Sequence, residues 1–267
     1  MNRNDPIAVV DSGVGGLACL DEIRKAMPGE DIIYFGDTAH MPYGTKSAEE
    51  ITGYMRDIAD RLKVLGAKMI ILACGTLSST VVPMLYSEYP EMLVQGLVDP
   101  AAAAVSRACQ DGCRVGVIAT PRSIESGAYA TAFSRLRKQF TVSYKACPEL
   151  SVYIEKGITE GPEMEELLRS YLDGLVKDDG IEALLFGCTH YPLVSECIHK
   201  LYPELKLIDP CTVLAKSAWS LVKVHGFERQ SEGPGSLWLL ASKKTEGFEN
   251  MAKRLGFGDT PIEEVSL

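Results

Sequence analysis

Two stretches of this chain repeat one another in outline, and that repetition narrows the folds open to it more than any other feature. Ile7-Ala-Val-Val-Asp-Ser12 and Val115-Gly-Val-Ile-Ala-Thr120 each set a small hydroxyl behind a short apolar run. Ile70-Ile-Leu-Ala-Cys-Gly-Thr76 and Leu184-Leu-Phe-Gly-Cys-Thr189 each end a run in cysteine, with threonine within two residues. Two matches in the same order predict two similar units facing each other. The runs are short, apolar and often β-branched, as strands buried on both faces are.

Between the runs lie segments with apolar residues at helical spacing. Leu17–Met27 is one, stopped by Pro28-Gly29; a longer one starts at Ser47, with Glu49 and Glu50 in the first turn where the helix dipole favours acid. Single helices are predicted over 78–89, 126–137, 162–177, 192–201 and 215–225, and short strands at 96–98 and 237–241. Strand–helix alternation of this kind predicts an α/β fold of two pseudo-symmetric, doubly wound lobes with mainly parallel sheets. The active site is then expected in the cleft between them.

Composition removes several functions. With 27 basic and 36 acidic residues the net charge is −9, so the chain is a poor nucleic-acid binder, because phosphate affinity rests on Lys and Arg. No run approaches the roughly 20 apolar residues of a membrane span. Met1–Pro6 carries charges of both signs and no apolar core of a signal peptide, so a cytoplasmic chain is expected, with its eight cysteines reduced. No pair has C-x-x-C spacing, and Cys109 and Cys113 lack a second cluster, so no metal site is expected. His40, His199 and His225 read as surface or loop residues, and Trp219 and Trp238 as core. Gly13–Gly16 lacks the Lys-Ser/Thr of a phosphate-binding loop.

In parallel sheets, ligands bind at the carboxyl ends of the strands. Asp11-Ser12, Cys74-Gly-Thr76, Thr120 and Cys188-Thr-His190 all fall there. A single cysteine at a strand end is usually a small buried hydrophobe; two in matched contexts, facing one cleft, suit a reaction with one acid–base group on each face of a carbon. Removing a Cα proton from one face and returning one to the other inverts a stereocentre. Asp11 and His190, at the same strand ends, are placed to orient or protonate their neighbouring cysteines. Ser12, Thr76, Thr120, Thr189 and backbone N–H groups can stabilise the charge that develops.

Asp11-Ser-Gly-Val-Gly-Gly16, Phe35-Gly-Asp-Thr38, Pro42-Tyr-Gly-Thr-Lys-Ser47, Ala119-Thr-Pro-Arg122, Ser126-Gly-Ala-Tyr129 and Gly187-Cys-Thr-His-Tyr-Pro192, in this order, resemble glutamate racemases from about Ile7 to Asp209. The resemblance implies cofactor-independent interconversion of L- and D-glutamate, supplying D-glutamate for peptidoglycan, by a cytoplasmic homodimer that needs no metal, nucleic acid or membrane. It implies Cys74 and Cys188 as the acid–base thiols, the first acting on D-glutamate and the second on L-glutamate. Asp11 assists Cys74; His190 and Glu155 support Cys188. Ser12, Pro42, Tyr43, Gly44, Gly75, Thr76, Thr120 and Thr189, with Asp11 and His190, match substrate-contacting positions. Asp37 matches a further family acid, or else caps a loop. The resemblance also implies a first lobe of 1–98 with 210–267 and a second of 99–209.

Two positions depart from the family pattern. Gly75 stands where the family usually has asparagine, removing an amide that would bond the substrate. Glu149-Leu-Ser-Val-Tyr153 replaces a Leu-Phe-Val-Pro continuation before Glu155. A racemase of another specificity, for example for aspartate, and a catalytically silent ligand-binding homologue are the alternatives. The resemblance also implies activity without a nucleotide-sugar activator, since family members that depend on one carry an extension before the first strand and only six residues precede Ile7 here.

Overall fold

The computed structural model describes residues 2–230 and 233–267. Among the described residues, ten strands form two sheets, parallel throughout. The first sheet contains β1 (Ile7–Asp11), β2 (Ile32–Gly36), β3 (Met69–Leu72), β4 (Leu93–Gly96), and, from the far end of the chain, β9 (Leu237–Ala241) and β10 (Ile262–Glu264). Its order is β10-β9-β2-β1-β3-β4. The second sheet contains β5 (Arg114–Ala119), β6 (Thr141–Ala146), β7 (Ala183–Phe186) and β8 (Lys206–Ile208), in the order β6-β5-β7-β8.

Side chains alternate across a strand, and the packing follows that alternation. Ile7 and Val9 of β1 enter one apolar cluster with the helices Gly16–Ala26 and Cys211–Val224. Ala8 and Val10 enter another, beneath the Ala48–Val64 helix. In β5, Ile118 faces one cluster while Val115, Val117 and Ala119 face its opposite. A strand covered on both faces has no room for polar side chains, which is why these runs read as uniformly apolar. Ser47 caps its helix as expected: its Oγ accepts the Glu50 N–H, and Glu50 returns a bond to the Ser47 N–H at 2.9 Å.

Several expected elements are divided or displaced. The helix over 78–89 is two, Gly75–Thr80 and Val82–Glu88, with Pro83 in the first turn of the second. That over 126–137 becomes Pro121–Glu125 and Ala128–Ser134, separated at Gly127 by a φ of 69° that an L side chain disfavours. The helix over 162–177 keeps α geometry only to Asp173 and then widens into a π turn over Gly174–Asp178. Residues 191–194 form a 3-10 turn before the Ser195–Leu201 helix. The strand expected at 96–98 lies at Leu93–Gly96, because the next helix starts at Val98; the one expected over 215–225 starts earlier, at Cys211. The helices Leu150–Glu155 and Glu246–Arg254 and strand β10 were not foreseen.

Two further expectations are corrected. Trp238 is 42% exposed: it shares a face of β9 with the buried Leu240 but lies toward the amino end of the strand. Cys19 and Cys211 are not free thiols: they are joined in a disulfide with Cα atoms 5.0 Å apart, linking the packed helices Gly16–Ala26 and Cys211–Val224. Both are buried and face each other, a pairing across the chain that spacing alone cannot reveal. Among the described residues, no helix is long and apolar enough to cross a membrane.

Candidate active site

The carboxyl ends of β1, β3, β5 and β7 deliver the strand-end residues to one place. Asp11 closes β1, and Cys74 follows β3 at the start of the Gly75–Thr80 helix. Thr120 follows β5 and caps the next helix through the Ser123 N–H; Cys188, Thr189 and His190 follow β7. Hydrogen bonds join the two groups. Thr189 Oγ1 donates to Asp11 Oδ2 at 3.2 Å, and Thr76 Oγ1 lies 2.9 Å from Thr120 Oγ1. Gly15 makes this approach sterically feasible, because a Cβ there would fall 2.5 Å from His190 Nδ1 and 2.6 Å from Thr189 Oγ1.

Both thiols are buried, with Cys74 5% and Cys188 8% exposed. Burial, reinforced by the negative charge of Asp11, pushes the Cys74 thiol up to about 12, against a 3.5 Å contact with Ser12 Oγ that works the other way. Cys74 is therefore a protonated thiol at neutral pH. Cys188 Sγ lies 3.6 Å from His190 Nδ1, and His190 Nε2 lies 3.1 Å from Glu155 Oε1. That second pair is an ion-pair contact between the imidazole and the carboxylate. Burial alone would disfavour the imidazolium, but Cys188 and Glu155 together hold the His190 pKa well above its ordinary value. Asp11 is raised by burial, opposed by the His190 charge, the Gly13 and Gly16 N–H groups and the Thr189 hydroxyl. It accepts hydrogen bonds from the Gly13 N–H and the Thr189 hydroxyl, while Cys74 senses it through charge.

A family profile described as Asp/Glu/Hydantoin racemase matches residues 8–218. A glutamate racemase of Carboxydothermus hydrogenoformans is 34% identical over 262 residues, spanning 98% of this chain and 96% of its own. The chain belongs to the glutamate racemase family. A Nostoc glutamate racemase is 41% identical over 277 residues, covering 97% of this chain and 91% of that one. The Francisella tularensis glutamate racemase crystallised with D-glutamate superposes with a TM-score of 0.90 at 32% identity, over 99% of this chain and 98% of that one. The family is one of isomerases.

In this racemase the remaining expected positions lie at different depths. Tyr43 is buried, whereas Pro42 before it is exposed. Gly44 abuts Thr120, which a Cβ at Gly44 would meet at 2.9 Å. Asp37 does more than cap a loop. Fully buried, it accepts hydrogen bonds from the Tyr43 hydroxyl, from Ser242 Oγ at 2.5 Å and from His40 Nδ1 at 2.9 Å. His40 also stacks on Tyr54 with ring centroids 4.0 Å apart. Asp37 thus ties the Pro42–Gly44 loop to the end of β9. Ser242 carried no signal in the sequence, because its partner lies at the opposite end of the chain.

Proposed function

We propose that this chain interconverts L- and D-glutamate without a cofactor, using Cys74 and Cys188 as acid–base thiols on opposite faces of Cα. The observation that carries the reading is the pair of buried thiols at matched strand ends of two facing sheets, each with its own polar partner. In the L-to-D direction Cys188, as thiolate, takes the Cα proton. The electron pair left on Cα is delocalised into the α-carboxylate, and Cys74 delivers its proton to the other face. One sulfur gains the proton the other loses, so atoms and charge balance, and the return reaction exchanges the roles. The raised pKa of Cys74 supports its part as the resting acid. His190, charged and backed by Glu155, orients the Cys188 side and exchanges its proton there. The Ser12, Thr76, Thr120 and Thr189 hydroxyls and the N–H groups around them supply donors for the substrate carboxylates, and Asp11 offers a negative charge to the ammonium.

The reading extends to two lobes, 1–98 with 210–267 and 99–209, closing on the substrate, and to a cytoplasmic homodimer supplying D-glutamate for peptidoglycan; these parts rest on the family relation. The test is loss of circular dichroism when purified protein meets L-glutamate, L-aspartate or L-alanine. Signal decay with glutamate alone is expected. Decay with aspartate instead reassigns the substrate, and decay with none removes the activity.

A further inference from the structure

Tyr191 follows His190 directly and opens the 3-10 turn Tyr191–Val194, yet the chemistry above gives it no part. Its side chain is wholly buried, and its hydroxyl donates a 3.2 Å hydrogen bond to the carbonyl of Cys147. Burial holds the phenol well above its ordinary range, so it stays protonated and a donor. Cys147 is fixed from its other side as well, because its N–H donates to the Ala119 carbonyl at the end of β5 at 2.9 Å. It follows β6 and stands three residues before the helix Leu150–Glu155.

The last residue of that helix is Glu155, whose carboxylate lies 3.1 Å from His190 Nε2. These contacts close a ring. His190 is peptide-bonded to Tyr191, Tyr191 grips Cys147, and the short segment after Cys147 returns Glu155 to His190. Leu150 and Ile154, on the buried face of the helix, share one apolar cluster with Tyr191 and Cys188. Apolar packing is non-directional, whereas a hydrogen bond specifies both distance and angle. The hydroxyl therefore supplies a directional tie between the approach to the helix and the residue next to His190.

We propose that Tyr191 is a positioning residue for the His190–Glu155 pair: by anchoring the Cys147 carbonyl, its hydroxyl sets how close the Glu155 carboxylate comes to the imidazole. The proposal rests on the two-thiol racemase reading, in which a charged His190 serves Cys188. The groups that face the imidazole are Cys188, 3.6 Å from Nδ1, Glu155 beside Nε2 and, from the end of β1, Asp11. In Tyr191→Phe the ring keeps its place in the cluster and the Cys147 carbonyl loses its donor. The helix can then carry its last residue away from His190. The attraction of the carboxylate weakens, and the imidazolium gives up its proton at a lower pH.

The experiment compares wild type, Tyr191→Phe, Glu155→Gln and the double variant, each as the full chain. Tyr202→Phe is the control, because Tyr202 lies in the same cluster and also spends its hydroxyl on a hydrogen bond, 2.7 Å to Asp173. The chain has four histidines, so isotope-labelled imidazoles can be titrated individually by NMR, with His190 assigned by the signal lost in His190→Asn. The His190 midpoint should fall by about 1 pH unit in Tyr191→Phe. It should stay in place in Tyr202→Phe, and fall no further when Tyr191→Phe is added to Glu155→Gln. Relative to wild type at the same pH, kcat/KM of Tyr191→Phe should drop about tenfold above the lowered midpoint and recover below it. An unchanged midpoint in Tyr191→Phe overturns the proposal. An equal fall in Tyr202→Phe also overturns it, by making the hydroxyl a stabiliser of the cluster only, and an undiminished fall in the Glu155→Gln background does the same by taking Glu155 out of the path. A wild-type protein that racemises no glutamate refutes the underlying reading, and the midpoints still decide the positioning.

Discussion

Lys68 precedes β3, at the end of the strand away from Cys74, and its ammonium is wholly inside the protein. The Lys68 side chain is 0% and the Glu30 side chain 2% exposed, with Nζ 2.5 Å from Glu30 Oε2. The other two ammonium protons go to the carbonyls of Arg3 at 2.6 Å and Phe227 at 2.9 Å, and Glu30 Oε1 accepts the Arg229 N–H at 2.8 Å. Every donor is used. Removing one partner leaves an uncompensated buried charge, so Lys68→Met and Glu30→Gln should each destabilise by about 3–5 kcal/mol. At about 2–4 °C per kcal/mol for a chain this size, Tm falls by about 6–20 °C in each. The double substitution leaves no buried charge, so its loss should be smaller than the sum of the singles, with a coupling of about 2 kcal/mol or more. Urea and thermal unfolding of the four proteins close the cycle. Because the network sits at the amino ends of the strands, kcat at a temperature where all four are folded should match wild type. Single variants that lose less than about 1 kcal/mol, or a double whose loss equals the sum, would refute the account.

Three further outcomes follow from the site. Cys74→Ala and Cys188→Ala should each lower kcat/KM by at least about 10³-fold, by equal factors from both enantiomers because L- and D-glutamate are equal in energy; substantial two-way turnover in either would dismiss the second thiol. Asp11→Asn removes a carboxylate whose pKa burial raises, so it should abolish most activity yet raise Tm by about 2–4 °C at pH 8. The sign is fixed by linkage: the folded state bears the cost of the buried charge above the raised pKa, and the gain fades as pH falls below it, vanishing below the ordinary value of 3.8. A melting series that shows a constant gain down to acid pH contradicts this. Asp37→Asn, unable to accept from Tyr43, Ser242 and His40 together, should raise KM for glutamate by about threefold to tenfold, measured by steady-state kinetics; an unaltered KM would free the Pro42–Gly44 loop from that anchor.

What could be read in advance has a common physical basis. β1, β3, β5 and β7 announce themselves because both faces are covered, and their carboxyl ends collect Asp11, Cys74, Thr120 and Cys188 whatever the helices do. The Ser47 cap is legible because its partner Glu50 lies one turn away. The divided helices were hidden because Val81 and Gly127 break a ladder inside an otherwise periodic pattern. Lys68 carries no signal of its role in the sequence, since nothing nearby names Glu30, Arg3 and Phe227 as its partners. Cys19 with Cys211, Asp37 with Ser242 and Tyr191 with Cys147 are hidden for the same reason: each contact exists only once distant segments have packed.

The position of β9 has a consequence for a chain that emerges from the ribosome amino end first. β1 to β4 can pair as soon as residue 96 is out, but β2 then has β1 on one side and nothing on the other. Its five residues, Ile32-Ile-Tyr-Phe-Gly36, are all buried in the finished protein, and their outer neighbour is Leu237–Ala241. Throughout synthesis of the whole second sheet, an apolar strand keeps an open row of N–H and C=O groups, the kind of edge that recruits strands from other nascent chains. The last strands to be made therefore act as an edge guard, and slow translation upstream of residue 237 lengthens the interval in which the unfinished protein is most prone to aggregate.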